Sequence, residues 1–258
     1  MLDFEMMKAA ILDLARTDSK CKKLVEASEI DGKYFEEKTL DFIPRCSTPE
    51  TNFYGLNAGV GIKPSEIVNT DSISKPEPVL IFCHDNITNF IKQNIDKINS
   101  NPRIFQKIKT KHELLDRWRS ELRTLFIHEM VHLIDYNSIL KTNPESDSFL
   151  SQEFSMFSEL RAHDYGESCT KERLNKHSTS DVEFAPYKGK CIEDHVYASL
   201  CSTFKSHYSY VPIVKNWQVN YDSKFRETDR RKDILKMYTA FKDSSSWLED
   251  LKMFDEDK

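Results

Sequence analysis

The chain has 258 residues and a formal net charge of -5, with 31% charged and 39% hydrophobic residues but only six glycines and nine prolines. This length supports one sizeable core, and the composition is typical of a helix-rich globular protein. The acidic balance argues against nucleic acid as a partner, and no apolar run approaches the roughly 20 residues that span a bilayer, so we expect any membrane contact to be peripheral.

The first part of the chain is predicted to contain helices around one strand. The amphipathic pattern of residues 2–29 predicts a helix that packs on the core. Residues 40–76 are rich in Gly, Pro, Ser and Thr and are predicted to be loops. The run at residues 76–83 predicts a strand at the edge of a small sheet, where an extended peptide could pair by strand addition. Helix is expected again over residues 87–112, with an interruption at Pro102.

A long helix is predicted over residues 114–140, which contain neither Gly nor Pro and include an HExxH motif at residues 128–132. Residues four apart lie on one face of a helix, so His128 and His132 can each donate a ring nitrogen to one Zn²⁺ ion. Glu129 would then be the catalytic residue, taking a proton from the attacking water and returning one to the leaving amine. Apolar neighbours indicate that this turn is buried, where the alternative to a metal is a core hydrogen-bond cluster.

A catalytic zinc needs a third protein ligand and one open coordination position. A second helix is predicted over residues 149–167, and Glu159 lies in its middle, one turn before the small Ala162. We predict that Glu159 is the third zinc ligand, with Asp135 as the competing ligand. A metzincin would have Gly at position 135 and His at position 138, but this chain has Asp135 and Ser138, so that class is excluded.

Other residues of the second helix are candidates for supporting roles. Asp164 could orient a ligand histidine by hydrogen bonding to its other ring nitrogen. His163 or Tyr165 could stabilise an oxyanion. The alternative for Glu159 is a solvated carboxylate paired with Arg161 or His163.

The rest of the chain is predicted to alternate between polar connections and helices. We expect a turn at residues 141–148, a loop at 177–186, a helix near 190–206 and a further helix around 229–253.

These elements suggest three segments. Residues 1–39 form an amino-terminal amphipathic helical segment, residues 40–206 form the domain that carries the motif, and residues 207–258 form a charged carboxy-terminal extension with a helix.

The six cysteines are scattered without CxxC pairs, so a thiolate metal cluster is not expected. Two interpretations stay open: buried reduced thiols in a cytosolic enzyme, or up to three disulfides. Cys191 and Cys201 have nine residues between them, a spacing like that of proteins trapped oxidatively in the intermembrane space without a cleaved presequence. The amino terminus fits this interpretation, since it is unlike both a secretory signal and an Arg-rich transit peptide.

Three features around the motif resemble a known family. They are residues 127–135 (Ile-His-Glu-Met-Val-His-Leu-Ile-Asp), residues 158–162 (Ser-Glu-Leu-Arg-Ala) and Cys169. In order and spacing they resemble the mitochondrial inner-membrane metalloprotease family that assists ATP synthase assembly. Weaker matches extend the resemblance over about residues 40–205.

The motif and the resemblance together predict a helix-rich α+β fold, a zincin-like single domain with a small sheet and an HExxH helix. The resemblance implies a zinc metalloendopeptidase that lies peripherally on the intermembrane-space side of the mitochondrial inner membrane. It would process an ATP synthase membrane subunit and assist assembly of the membrane sector. His128 and His132 become zinc ligands and Glu129 the catalytic residue. The alternatives are an assembly chaperone with a vestigial zinc site, and an unrelated cytosolic protease that shares only the HExxH motif.

Overall fold

The computed structural model describes residues 3–45, 58–63, 77–100, 108–142, 152–174, 176–206 and 227–243. Its helices are α1 Phe4–Thr17, α2 Ser19–Ala27, α3 Gly32–Tyr34, α4 His84–Ser100, α5 Lys111–Thr142, α6 Gln152–Tyr165, α7 Asp181–Ser206 and α8 Glu227–Phe241. A π-helical turn, Phe35–Thr39, continues α3, and a 3₁₀ turn, Glu167–Cys169, follows α6. With one small sheet, these elements confirm the predicted helix-rich α+β class.

The sheet has three strands, β1 Leu40–Ile43, β2 Ala58–Lys63 and β3 Glu77–Cys83, in the order β1-β3-β2. β3 pairs parallel with β1 and antiparallel with β2, and Leu80 is opposite Leu40 on one side and Val60 on the other.

Two predictions about this sheet are wrong. The strand predicted at residues 76–83 is central rather than at the edge, as its buried run Val79, Leu80, Phe82 and Cys83 indicates. Residues 40–76, predicted to be loops, contain β1 and β2. These two strands are short, and β2 contains glycines that indicate a turn when they are considered without their strand partner.

Helix α5 forms the centre of the core. It contacts β2 and β3 of the sheet, α1 and α2, and α6. Phe126 of α5 stacks on Phe82 of β3 and meets Phe35 edge to face, both with ring centroids 6.3 Å apart. Because several elements surround its middle, this part of α5 is apolar on nearly every side. The HExxH turn is therefore built into the core.

The helix predicted over residues 2–29 is two helices. Asp18 has an extended backbone, and its side chain accepts a hydrogen bond from the backbone N–H of Cys21, which caps the start of α2. Met7, Ile11 and Leu14 of α1 are fully buried, so α1 lies on the core.

The carboxy-terminal helices differ from the prediction at their ends. α7 begins at Asp181, so the loop predicted at residues 177–186 is wrong in its second half. α5 continues to Thr142, into the turn predicted at 141–148, and the rest of that turn lies outside the described residues. α8 ends at Phe241, and the last part of the helix predicted around 229–253 also lies outside them.

Helix α8 packs against α6 and α7. Ile234 is fully buried, and the Tyr238 hydroxyl donates a hydrogen bond to Asp164 of α6 at 3.2 Å. Phe241 meets Phe157 of α6 edge to face. This part of the carboxy-terminal segment therefore contributes to the core around α6.

A disulfide joins Cys169, at the end of the 3₁₀ turn, to Cys191 on α7. The pairing suggested by the spacing of Cys191 and Cys201 is therefore wrong. Both residues lie on α7, where ten residues span about 15 Å, well beyond the reach of a disulfide. Cys83 is also disulfide-bonded, and Cys21 is a buried free thiol. Among the described helices, none has the length and apolarity needed to cross a membrane.

Candidate metal centre

Three side chains from two helices converge beneath the HExxH turn. His128 and His132 lie one turn apart on α5, and their Nε2 atoms are 3.1 Å apart. Glu159 comes from α6: its Oε2 is 3.5 Å from His128 Nε2, and its Oε1 is 3.6 Å from His132 Nε2. The predicted ligand set is therefore together in space, and these three donors form a group that could hold a metal ion.

The spacing of the three donors fits a tetrahedral ion. Ligands about 2.0–2.1 Å from Zn²⁺ at tetrahedral angles lie roughly 3.3 Å from one another. The two Nε2 atoms are 3.1 Å apart, and each lies 3.5 or 3.6 Å from a different oxygen of Glu159, so all three distances are close to that size.

One oxygen of Glu159 also lacks a protein partner. Within the part of the chain that the structure describes, Oε2 is buried and has no hydrogen bond. The nearest nitrogens, on His128 and His163, lie at 3.5 and 3.6 Å, too far for good hydrogen bonds. A buried carboxylate oxygen without a hydrogen bond is costly, and a cation would satisfy it. The residues present thus fit a metal ion.

Hydrogen bonds from His132 through Ser158 to Asp135 determine which ring nitrogen of His132 faces Glu159. Its Nδ1 is 2.7 Å from Ser158 Oγ, and Ser158 Oγ donates to Asp135 Oδ2 at 2.7 Å. Because the hydroxyl hydrogen goes to Asp135, Ser158 accepts from an Nδ1–H of His132. Nε2 then has the lone pair that a metal needs. Arg161 lies 3.1 Å from the other oxygen of Asp135.

The same hydrogen bonds separate the two carboxylates considered as third ligand. Asp135 is buried, and Ser158 and Arg161 occupy its two oxygens. Glu159 instead faces the paired imidazoles with both oxygens. The geometry therefore favours Glu159 over Asp135.

Burial and neighbouring charges shift the pKa values at the centre in opposite directions. Burial alone would raise the pKa of Glu159, but His132 and His128 hold it well below its usual value. Burial alone would lower the pKa of His132, but Glu159 raises it. Burial raises the pKa of Glu129 to about 7, with His128 opposing and Glu159 adding to the rise. Without a metal, Glu159 is thus anionic, whereas Glu129 is poised to exchange a proton near neutral pH.

The candidate supporting residues lie in different places. His163 adjoins the centre, with its ring centroid 4.4 Å from that of His128. Tyr165 faces α2, where Lys20 lies over its ring. Asp164 pairs with Lys188 of α7 and accepts the hydrogen bond from Tyr238.

The sequence interpretation missed the support that Ser158 and Arg161 give. Both belong to the Ser-Glu-Leu-Arg-Ala segment, on either side of Glu159. Their spacing was the available signal, because residues one and two positions from Glu159 point away from it on a helix and can reach other partners.

The sequence interpretation also missed a second group of potential ligands. Cys169, Cys191 and His195 have donor atoms within 4.8 Å of one another. Here the two sulfurs are joined in the disulfide. The available signal was the spacing of Cys191 and His195, four residues apart in a predicted helix.

Comparisons with protein-family models, with curated proteins and with solved structures found no match.

Proposed function

We propose that the chain is a zinc-dependent metalloendopeptidase with a zincin-like arrangement, in which His128, His132 and Glu159 hold the metal. The observation that carries this proposal is the convergence of His128, His132 and Glu159, in which one buried oxygen of Glu159 has no hydrogen bond within the described part of the chain. Two neutral imidazole nitrogens and one carboxylate are a ligand set of catalytic zinc sites, which leave a fourth position open. A bound zinc ion would act as a Lewis acid on a peptide carbonyl and would acidify a water molecule.

Glu129 is the proton carrier in this proposal. It follows His128 on α5 and is only 5% exposed, so its carboxylate is largely shielded from bulk water. A buried carboxylate next to a metal ligand can accept a proton from the attacking water and then donate one to the leaving amine. Ser158 and Asp135 hold His132 in the orientation that binding requires.

The sheet suggests where a peptide would bind. α5 contacts β2 and β3, and β2 is an edge strand of the described sheet. An extended peptide could add to the side of β2 that faces away from β3 through backbone hydrogen bonds. This proposal replaces the binding edge that the sequence alone placed at β3.

The cellular role is proposed from the sequence resemblance. The substrate would be an ATP synthase membrane subunit, processed by a chain that lies peripherally on the intermembrane-space side of the mitochondrial inner membrane. The Cys169–Cys191 disulfide supports an oxidising compartment over a cytosolic one, because disulfides are rare in the reducing cytosol.

The decisive test is Glu129→Gln. The amide has nearly the shape of the carboxylate but cannot accept the proton, so cleavage of the subunit precursor by purified protein should fall at least about a hundredfold. Zinc content, measured by atomic absorption, should stay at one ion per chain. Glu26→Gln, the same change at an exposed site on α2, is the matched control and should cleave normally. Cleavage by Glu129→Gln at the wild-type rate would reject the mechanism.

The same variant separates the peptidase from an assembly chaperone. In cells that lack the chain, Glu129→Gln should fail to restore processing of the subunit. If it nevertheless restores ATP synthase assembly fully, the chaperone role is the essential one and peptidase activity is dispensable for it.

A further inference from the structure

The disulfide between α7 and the 3₁₀ turn lies beside a histidine in a metal-ligand pattern. Cys191 and His195 are four residues apart on α7, the same spacing that brings His128 and His132 together on α5. Cys169 reaches them from the 3₁₀ turn after α6. The two sulfurs and a ring nitrogen of His195 all lie within 4.8 Å of one another.

We propose that Cys169, Cys191 and His195 form a second, redox-gated zinc site, which is closed while the disulfide exists and opens when it is reduced. Two thiolates and an imidazole are ligands that zinc prefers, and three such ligands leave its fourth position for water. This site shares no ligand with the one built by His128, His132 and Glu159, so it goes beyond the proposed peptidase activity.

The chemistry requires an external reductant of the thiol class, such as glutathione. Two thiol molecules reduce the disulfide. The first attacks one cysteine sulfur, breaks the S–S bond, forms a mixed disulfide and releases the other cysteine as a thiol. The second attacks the mixed disulfide, releases the remaining cysteine as a thiol and leaves as a disulfide with the first molecule. The chain gains two electrons and two protons as the thiols of Cys169 and Cys191. Zinc binding then displaces both thiol protons, because only thiolates ligate the ion.

The positions of the three residues suit both steps. Cys191 is half-buried and His195 is exposed, so a small thiol and a hydrated ion can approach from this side, whereas Cys169 is buried. The Cα atoms of Cys169 and Cys191 are 5.9 Å apart. In a zinc site with zinc–sulfur bonds of about 2.3 Å the sulfurs would separate to roughly 3.7 Å, a change within reach of side-chain rotation.

The second site would adjoin the first one through His163. The rings of His195 and His163 stack with centroids 5.0 Å apart, and His163 Nε2 is 3.6 Å from Glu159 Oε2. On its other side, His163 Nδ1 is 3.2 Å from the hydroxyl of Ser168, next to Cys169. The His163 ring thus lies between the proposed second site and the candidate catalytic centre.

Cobalt(II) titration of the full chain distinguishes the two sites. Thiolate ligands give Co²⁺ an intense charge-transfer absorption, whereas imidazole and carboxylate ligands give only weak bands. Oxidised protein should bind one Co²⁺ without the thiolate absorption. After reduction by a phosphine and its removal, the protein should bind a second Co²⁺ with that absorption.

Variants assign the absorption to this site. Cys191→Ser should abolish the absorption and the second equivalent while keeping the first, and His195→Gln should weaken the second equivalent at least tenfold. Cys21→Ser and Cys83→Ser are matched controls that should leave the absorption unchanged. No gain of a Co²⁺ equivalent on reduction, or a thiolate absorption that survives Cys191→Ser, would overturn the proposal.

A third measurement needs no variant. In reduced wild-type protein, bound Zn²⁺ should protect Cys169 and Cys191 from alkylation, as read by mass spectrometry of peptides, and equal labelling with and without zinc would also overturn the proposal. If oxidised wild-type protein binds no Co²⁺, that result would instead count against the peptidase site, so the failures of the two proposals are distinguishable.

Discussion

At the scale of single residues, Ser158 supports the candidate metal centre without facing it. Its hydroxyl has one hydrogen, which goes to Asp135, so the lone pairs are left for His132 Nδ1–H. Ser158 thereby fixes both the tautomer and the ring orientation of His132, a candidate metal ligand.

Ser158→Ala should therefore weaken zinc binding. Losing the group that supports a ligand histidine typically costs ten- to a hundredfold in metal affinity, so we expect the zinc dissociation constant, measured by competition with a chromophoric chelator, to rise by about that factor. Ser120→Ala, the same change on the exposed surface of α5, should have no effect. Unchanged zinc affinity in Ser158→Ala would contradict the supporting role of this hydroxyl.

Some residues of this site could be predicted from the sequence more fully than others. The HExxH spacing is sufficient to place His128 and His132 on one helix face, because the geometry is local. The preference for Glu159 over Asp135 could be stated but not settled from sequence. It depends on where Ser158 and Arg161 lie, and they occupy Asp135 across the α5–α6 contact.

At the scale of elements, local patterns were predicted better than long-range pairings. The helices α5 and α6 follow from apolar periodicity and an absence of Gly and Pro over their middles. The strands β1 and β2 are recognisable only through their pairing with β3.

The start of α7 carried a local signal that was missed. Ser180 and Glu183 form a reciprocal cap, in which each side chain accepts from the other's backbone N–H. Pro186 then lies in the second turn, where its missing N–H costs one hydrogen bond near the helix start.

Helix α8 packs on the core, and substitutions at two adjacent residues test how much this packing contributes to stability. Ile234 is fully buried and Leu235 is 39% exposed. Ile234→Ala should lower the free energy of unfolding in urea by about 2–5 kcal/mol because it leaves a cavity. Leu235→Ala makes a similar change in side-chain size on the same helix and should cost less than about 1 kcal/mol. Similar small effects for both variants would mean that α8 does not pack on α6 and α7 in solution.

At the scale of the whole molecule, the candidate metal centre joins the two helices that organise the core. His128 and His132 belong to α5, which contacts the sheet and the amino-terminal helices, and Glu159 belongs to α6, which contacts α7 and α8. An ion held by all three would link these two halves of the core. Because the unfolded chain does not keep the three donors together, metal binding favours the folded state.

Zinc should therefore raise the global stability of the chain, and Glu159→Gln should remove most of that gain. At free zinc one hundred times the dissociation constant, the free energy of unfolding should rise by about 2.7 kcal/mol over chelated protein, because only the folded state binds. Glu159→Gln replaces a charged ligand by a neutral amide, so its melting temperature should respond little to zinc, whereas Glu26→Gln should respond like the wild type. The chain should be kept oxidised in this calorimetric comparison, so that Cys169 and Cys191 cannot add a second ion. If zinc stabilises Glu159→Gln as much as the wild type, the metal is held elsewhere and α6 does not supply the third ligand.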